Sequence, residues 1–434
     1  MKQTKPLAHP DDIPALVFAD RHGVIKDFPD LKMAGRSGEL FVRPEKEDLV
    51  PLPEGSELFV LPDRMPVGID PRSGELLLLD HDPEKPAEKI NAVAAFMAPA
   101  HTGIHSAAYQ SSRQDLPPLP LFAYTAVGWH NGTFWVSAFR SDTDRRQDAD
   151  QFNLNRIRKK TQQKLKAHPD NRLIQHLGKC CLQYSCPAAK NYFLGRWEAP
   201  LPSSPTCNAR CVGCISLQPS GCCPSTQERI KFTPTPVEIT EIAVPHLQNA
   251  TKPVVSFGQG CEGEPLMQAK TLETAIRRIR SKTDRGTINL NTNASLQSKV
   301  HALARAGLDS MRVSLNSART EYHDRYYRPK DFSLHDVCDA ISIMKAKQRF
   351  VSLNYFILPG FTDDPDEFGA LCELLENHRP DMIQLRNLNM DPEWYLRTMK
   401  HQPQKRPLGI RRWQRQLKQL FPWLRFGYFN PALR

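Results

Sequence analysis

The sequence predicts an α/β protein built on a parallel sheet, with a smaller, mostly β domain before it and a basic helical extension after it. Buried strands and amphipathic helices alternate over residues 196–392, and such alternation is typical of a parallel sheet. Residues 1–150 instead carry short apolar segments separated by proline, glycine and aspartate turns. Residues 393–434 carry nearly all of the net charge of +11.

The composition limits the class of protein. With 434 residues, the chain can form more than one domain, and its 40% hydrophobic and 24% charged residues are ordinary for a soluble protein. The N-terminus has no apolar segment of a secretory signal, and no apolar run is long enough to cross a bilayer. We therefore expect a cytoplasmic protein without a membrane partner.

The N-terminal domain, residues 1–150, is predicted from its strand pattern. Apolar segments at 15–18, 39–42, 57–61, 75–79 and 133–136 are each bounded by turn-forming residues. No catalytic motif lies in this region, so its role is not predicted.

Residues 151–195 are predicted to be a helical linker that also holds cysteines. Leu154, Ile157, Thr161 and Leu165 recur at helical spacing, and lysines and arginines occupy the positions between them. A solvated basic face over an apolar seam is favoured over a nucleic-acid contact.

The region 196–392 is predicted to contain six strand–helix units. The strands are expected just before Cys207 and at 253–257, 287–290, 311–315, 351–358 and 382–386. The intervening helices repeat apolar residues at i, i+3, i+4 and i+7, as in Leu272, Ala275, Ile276 and Ile279. Polar residues follow the strands, at the edge where barrel enzymes place their active sites.

Three cysteines, Cys207, Cys211 and Cys214, form a C-x3-C-x2-C loop after the first of these strands. Three thiolates on a four-iron cube leave one iron open for a ligand. A structural zinc ion usually takes four ligands, and the alternative here is a zinc site completed by Cys222 or Cys223. Eleven cysteines without an export signal favour metal or redox chemistry over disulfides.

The second strand ends in Gly258-Gln259-Gly260-Cys261-Glu262-Gly263-Glu264-Pro265. Glycines allow a backbone to approach a ligand closely, and a carboxylate in such a loop can pair with an ammonium group. A glycine-rich loop alone is a weak signal. It becomes strong beside a cysteine triplet at the neighbouring strand end.

With both motifs present, the chain resembles the radical S-adenosylmethionine superfamily over residues 195–390; no subfamily is identified. The cysteine triplet matches the hallmark of the family, and residues 262–265 resemble its Gly-Gly-Glu-Pro segment, which holds the methionine amino group. Glu262 replaces the first glycine, and Gly213 stands where most members carry an aromatic residue. The resemblance implies that the cofactor contacts are Glu262, Gly263, Glu264, Pro265, Asn291, Asn293, Ser314, Asn316 and Arg328.

The resemblance also implies a fold and a chemistry. The fold would be a partial (β/α)6 barrel of the TIM type. A [4Fe–4S] cluster on the three cysteines would bind S-adenosylmethionine and cleave it reductively to a 5′-deoxyadenosyl radical, which takes hydrogen from an unknown substrate. The electron would come from a one-electron donor such as a flavodoxin or ferredoxin. No further catalytic residue is assigned.

Three functions remain open from the sequence. The first is hydrogen abstraction from a macromolecule, either a peptide or RNA. The second is activation of a partner enzyme by installing a glycyl radical. The third, from another class, is a zinc-stabilised nucleic-acid-binding protein without catalysis.

Further cysteines suggest a second iron–sulfur cluster. Cys181, Cys186, Cys222 and Cys223 could together supply four thiolates. The alternative is that these residues are buried small hydrophobes or surface thiols. Cys261 in the glycine-rich loop is a further candidate ligand.

The extension, residues 393–434, contains ten lysines and arginines and no acidic residue after Glu393. Ile410, Trp413 and Leu417 recur at helical spacing with arginines on the other face. This spacing favours a packed helix over binding of RNA or another phosphate-rich partner.

Overall fold

The computed structural model describes residues 13–113, 115–218 and 223–434. The chain forms two compact units. Of the described residues, the first unit comprises those from 13 to 143 together with 356–368 and 386–419, and the second comprises those from 144 to 355 together with 369–385 and 420–434.

The bounds of the elements are as follows. The strands are β1 (Ala15–Ala19), β2 (Ile25–Met33), β3 (Gly35–Ser37), β4 (Leu40–Val42), β5 (Leu49–Pro51), β6 (Glu57–Leu61), β7 (Arg64–Ile69), β8 (Leu76–Leu78), β9 (His81–Asp82), β10 (Lys85–Lys89), β11 (Asn91–Phe96), β12 (His101–Gly103), β13 (Ser106–Ala107), β14 (Tyr109–Ser111), β15 (Val127–His130), β16 (Thr133–Arg140), β17 (Glu198–Pro200), β18 (Val254–Phe257), β19 (Thr287–Thr292), β20 (Ser310–Leu315), β21 (Phe350–Ile357), β22 (Met382–Asn387) and β23 (Arg425–Gly427). The helices are α1 (Leu154–Ala167), α2 (Arg172–Leu182), α3 (Pro187–Leu194), α4 (Pro236–Asn249), α5 (Ala269–Arg280), α6 (Gln297–Ala306), α7 (Thr320–Tyr327), α8 (Leu334–Ala346), α9 (Pro365–His378), α10 (Pro392–Met399) and α11 (Ile410–Leu420).

The first unit is built on an antiparallel sheet. Its main path runs β12-β16-β15-β1-β2-β7-β14, with β11 and β6 added beside β1. The central strand β1 is the run Ala-Leu-Val-Phe-Ala, and all five residues are buried because both faces of the strand are covered. On one face, Val17 packs with Val93, Val127 and Val136 in an apolar cluster.

The second unit contains the parallel sheet, ordered β17-β18-β19-β20-β21-β22-β23. The fold prediction is confirmed: a partial barrel of parallel strands and helices accompanies an antiparallel N-terminal β domain. The sequence pattern predicted six parallel strands, and the structure adds a seventh, β23, which pairs in parallel with β22.

Polar caps explain where several helices of the second unit begin. The side chains of Asn153 and Asn171 accept backbone N–H bonds at the starts of α1 and α2. Thr235 and Glu238 form a reciprocal capping box at the start of α4. Within the described ranges, none of the helices has both the length and the apolar character needed to cross a bilayer.

Candidate active site

The cysteine loop follows β17 at the carboxyl end of the parallel sheet, and backbone hydrogen bonds hold it in place. The N–H groups of Arg210 and Val212 donate to the carbonyls of Tyr327 and Tyr326, both at 2.9 Å. The loop is therefore fastened to the end of α7 by contacts that involve none of its thiols.

The three thiols of this loop are partly buried. Burial, together with the nearby Glu264 carboxylate, raises the pKa of Cys207 to about 11. Burial also raises the pKa of Cys211 well above its usual range, and the neighbouring Cys207 and Cys214 add to this effect. A bound cation would remove this penalty, because metal ligation favours the thiolate. Thiolates are the ligands that iron–sulfur clusters take, so the donor set fits such a cluster.

Arg229 supplies positive charge beside the cysteine loop. Its Nη2 lies 3.4 Å from Cys214 Sγ, and its Nε donates to Ser216 Oγ at 3.1 Å. Hydrogen bonds and positive charge near the sulfurs of a cluster influence its reduction potential. This arginine could not be predicted from the sequence, because nothing in the spacing of 15 residues between it and Cys214 marks the contact.

The glycine-rich loop follows β18 and approaches its neighbours too closely for a side chain at two positions. Gly258 has φ +78°, and a Cβ there would lie 1.7 Å from the carbonyl oxygen of Asn291. A Cβ on Gly263 would lie 2.0 Å from the carbonyl oxygen of Thr206, the residue before Cys207. Only glycine fits at these positions. The glycine-rich loop can therefore lie directly against β19 at Gly258 and interlock with the cysteine loop at Gly263.

Glu264 is buried, at 4% exposure, and lies next to the cysteine loop. Its N–H donates to the Thr206 carbonyl at 2.8 Å. Its carboxylate accepts from the N–H of Asn293 at 2.8 Å and from Thr292 Oγ1 at 2.5 Å. Burial raises the pKa of Glu264 to about 7, although these hydrogen bonds lower it in part. A ligand cation beside this carboxylate would favour its charged form.

Glu262, which replaces the first glycine of the family pattern, acts as a brace: its carboxylate connects the residues before the cysteine loop to the glycine-rich loop through hydrogen bonds. Its Oε2 accepts from the N–H groups of Ser203 and Ser204 at 2.7 and 2.9 Å and from Ser203 Oγ at 3.0 Å. Its Oε1 accepts from the Gln259 N–H at 2.6 Å. The carboxylate is therefore occupied by the protein itself, and burial raises its pKa to about 7.

Two asparagines at the end of β19, Asn291 within the strand and Asn293 just after it, connect the loops at the sheet edge. Asn291 Nδ2 donates to the Gly258 carbonyl at 2.7 Å. Asn293 Nδ2 donates to Asn208 Oδ1 at 2.9 Å, so the third strand end is joined to the cysteine loop. Both asparagines are buried.

The remaining predicted contacts lie along β20 and α7. Ser314 is half-buried near the end of β20. Asn316 is buried and its Nδ2 donates to the Tyr322 carbonyl at 3.1 Å, which ties it to α7. Arg328 is exposed and ends α7 in a left-handed conformation, φ 45°. Pro265 begins a short turn of 3-10 helix and is buried. The roles of these residues toward the cofactor remain predictions.

The cysteines predicted for a second cluster occupy different surroundings. Cys181 Sγ, on α2, lies 3.5 Å from Thr161 Oγ1, on α1. Cys186 lies at the start of α3, and Cys223 is buried. Cys222 lies outside the described residues. The structure brings Cys180 and Cys261 together with His176. The spacing of four residues between His176 and Cys180 was the available sequence signal for this group.

A buried polar network on the strands was also missed. Asn430 Nδ2 donates to Glu198 Oε1 at 2.9 Å, and Gln384 Nε2 donates to Asn430 Oδ1 at 3.0 Å. Asn289 Nδ2 donates to Ser256 Oγ at 3.2 Å. The alternation of Asn289 and Asn291 in β19 was the sequence signal, because residues two apart share one face of a strand.

Part of the chain matches a known protein family. The model of the Radical SAM superfamily matches residues 201–374. The curated GTP 3′,8-cyclase of Limosilactobacillus fermentum (strain NBRC 3956 / LMG 18251) is 27% identical over 161 residues, which cover 36% of this chain and 45% of that protein. The chain thus spans less than half the length of this curated relative.

Solved structures are similar to the chain at lower identity. A radical SAM methyltransferase from Sphaerobacter thermophilus is 17% identical, with a TM-score of 0.37, over 52% of this chain and 63% of that one. Methylornithine synthase (PylB) is 15% identical, with a TM-score of 0.38, over 63% of this chain and 75% of that one. Residues 201–374, which place the cysteine loop at the carboxyl end of a parallel sheet, thus match the radical S-adenosylmethionine superfamily, and the subfamily is undetermined.

Proposed function

We propose that this chain is an enzyme that uses S-adenosylmethionine and an iron–sulfur cluster to abstract hydrogen from a macromolecular substrate. Membership of the superfamily implies both cofactors, a [4Fe–4S] cluster and S-adenosylmethionine. In this proposal Cys207, Cys211 and Cys214 hold the cluster. Glu264 and the backbone around Gly263 receive the methionine end of S-adenosylmethionine.

One observation carries the proposal: the cysteine loop and the glycine-rich loop are interlocked. Glu264 N–H bonds the Thr206 carbonyl at 2.8 Å, and Gly263 N–H bonds the Ser204 carbonyl at 2.7 Å. A carboxylate suited to an ammonium group is thereby fixed beside a thiol set suited to iron.

The residues of the chain have separate tasks in this proposal. When bound, the cluster would supply one electron to the sulfonium of S-adenosylmethionine and so make a carbon radical available. Glu264 would orient the ammonium group, and Thr292 and Asn293 hold the Glu264 carboxylate in position. Asn291 and Asn293 would offer amide groups to the nucleoside end.

A peptide or RNA is the proposed substrate, and a flavodoxin or ferredoxin is the proposed electron donor. The charge of +11, concentrated in residues 393–434, supports a phosphate-rich partner. Activation of a partner enzyme through a glycyl radical is the second candidate. It would give a protein-centred radical in the partner, which electron paramagnetic resonance detects.

The test of the proposal is anaerobic reconstitution with iron and sulfide, reduction, and measurement of 5′-deoxyadenosine released from S-adenosylmethionine. We expect release from the wild-type chain and none from Cys211→Ala. Cys372→Ala is the matched control, because this half-buried cysteine lies on α9, and it should retain both iron and cleavage. Equal cleavage by Cys211→Ala, or a wild-type chain without iron, would contradict the proposal.

The substrate class is tested by isotope transfer. Candidate peptides and RNA carrying deuterium are added to the reduced enzyme, and mass spectrometry follows deuterium into 5′-deoxyadenosine. Transfer from one class identifies it. RNA affinity that does not change with salt concentration would exclude a phosphate contact.

A further inference from the structure

A second set of metal-binding side chains lies outside the cysteine loop. His176 and Cys180 are four residues apart in α2, so they lie on the same face of the helix. Cys180 Sγ is 3.6 Å from His176 Nε2. Cys261, from the glycine-rich loop, completes a group whose three donor atoms all lie within 4.8 Å of one another.

We propose that His176, Cys180 and Cys261 bind a single divalent ion of the zinc class. A zinc ion lies about 2.3 Å from a sulfur ligand and about 2.0 Å from a nitrogen ligand. In a tetrahedral site, two such ligand atoms are therefore roughly 3.5 to 3.8 Å apart. The observed separation of Cys180 Sγ and His176 Nε2 agrees with that spacing. A multi-iron cluster would hold its ligands farther apart, because several metal ions would lie between them.

Cys186 is the fourth ligand in this proposal. Its N–H donates to the Cys180 carbonyl at 3.0 Å, which keeps the start of α3 against the end of α2. One histidine and three cysteines form a closed set that is typical of structural zinc.

The surroundings suit an ion rather than three free side chains. Cys180 and Cys261 are buried, at 2% and 5% exposure. Phe232 lies edge-on to the His176 ring, with ring centroids 6.4 Å apart, and so limits the orientations of the imidazole.

The ion would connect two parts of the chain that are distant in sequence. Cys261 lies between Gly258 and Gly263, the two glycines that interlock with neighbouring loops. A metal at this position would fasten the glycine-rich loop to α2. This inference does not depend on the proposed function, because it concerns a different set of ligands.

The test measures zinc directly in the full-length chain. Wild-type protein purified without oxygen is analysed for zinc and iron, together with the triple variant Cys207→Ala, Cys211→Ala, Cys214→Ala. We expect about one zinc per chain in both. Adding Cys180→Ser and Cys261→Ser to the triple variant should remove the zinc, whereas adding Cys338→Ser, on α8, should not.

A second measurement covers the case in which the serine variants do not fold. Cobalt(II) is exchanged into the triple variant, whose proposed second site is intact, and the absorption spectrum reports tetrahedral geometry and thiolate ligands. Zinc retained by the serine variants would overturn the proposal. Iron in place of zinc in the triple variant would do the same, as would a metal-free chain that forms a Cys180–Cys261 disulfide.

Discussion

At the scale of single residues, Glu262 in place of a glycine adds hydrogen bonds that hold the glycine-rich loop. The glutamate accepts four hydrogen bonds, two of them from Ser203. Its carboxylate therefore satisfies donors that a glycine would leave without a protein partner. Buried donors left unsatisfied cost about 1–3 kcal/mol each, so the brace is a substantial part of the stability of the loop.

Glu262→Gln should destabilise the chain by about 2–3 kcal/mol, because the amide NH2 replaces an acceptor and faces backbone donors. Urea unfolding measures the change. Glu376→Gln, an exposed position on α9, is the control and should stay within about 0.5 kcal/mol. An equal effect of the two substitutions would show that the four hydrogen bonds are not stabilising.

Gly263→Ala should prevent the two loops from interlocking. The new Cβ would lie 2.0 Å from the Thr206 carbonyl oxygen, so the backbone beside Cys207 must move. We expect reduced iron content after reconstitution and loss of S-adenosylmethionine cleavage. Gly369→Ala, in α9 with no atom within 4 Å of the new Cβ, is the control and should be neutral or stabilising. Full iron loading of Gly263→Ala would contradict the close packing of the loops.

At the scale of elements, the glycine-rich loop and the strand end after β19 meet at a buried carboxylate. Glu264 holds a proton more tightly in the folded chain, since burial raises its pKa from 4.5 to about 7. The folded state therefore binds more protons than the unfolded state between these values. Stability from this source is present below about pH 4.5 and is lost as the pH rises through about 7.

We expect the urea midpoint of cluster-free protein to fall less between about pH 5 and about pH 8 in Glu264→Gln than in the wild-type chain, because glutamine does not titrate. The measurement is the difference between the two pH profiles, since other groups contribute to both. Parallel profiles would show that the environment of Glu264 does not disfavour its charge.

Most elements of the second unit could be predicted from the sequence, because their periodicities are long and regular. β18 is a short, mostly apolar run, β19 to β22 place apolar residues among polar ones, and α5 repeats its apolar residues every three or four positions. β23 could not be predicted. It has three residues, and its strand character depends on pairing with β22, more than 40 residues earlier in the chain.

The candidate site divides in the same way. The cysteine triplet and the Gly263–Glu264 pair are local motifs, so the sequence could mark them as candidates when the two were considered together. The partners of Glu262 and Cys261 could not be found, because Ser203 and Cys180 are distant in sequence and reach the site only through the fold. In the first unit, strands such as β2 and β7 contain several polar residues or prolines and were missed.

For the whole molecule, the basic extension adds packed structure as well as charge. Ile410, Trp413 and Leu417 of α11 are fully buried, whereas Arg412 and Arg415 are exposed. The apolar spacing in this region thus agrees with a helix packed on one face, as the sequence favoured. The exposed arginines remain available to a partner.

Trp413→Ala should cost about 3–5 kcal/mol, as expected for truncation of a fully buried tryptophan. Arg415→Gln, two residues along the same helix, is the matched control and should change stability by less than about 0.5 kcal/mol. Thermal unfolding compares the two variants with the wild-type chain. A small effect of Trp413→Ala would mean that the extension adds little to the folded state.

The glutamate brace also has a consequence for how relatives are recognised. A search that requires two adjacent glycines before the glutamate–proline pair passes over any chain built like this one. The coupled trait is a serine pair shortly before the first cysteine together with an acidic residue in place of the first glycine. We expect homologues to carry both features or to lack both, since either one alone leaves a buried polar group without a hydrogen-bond partner.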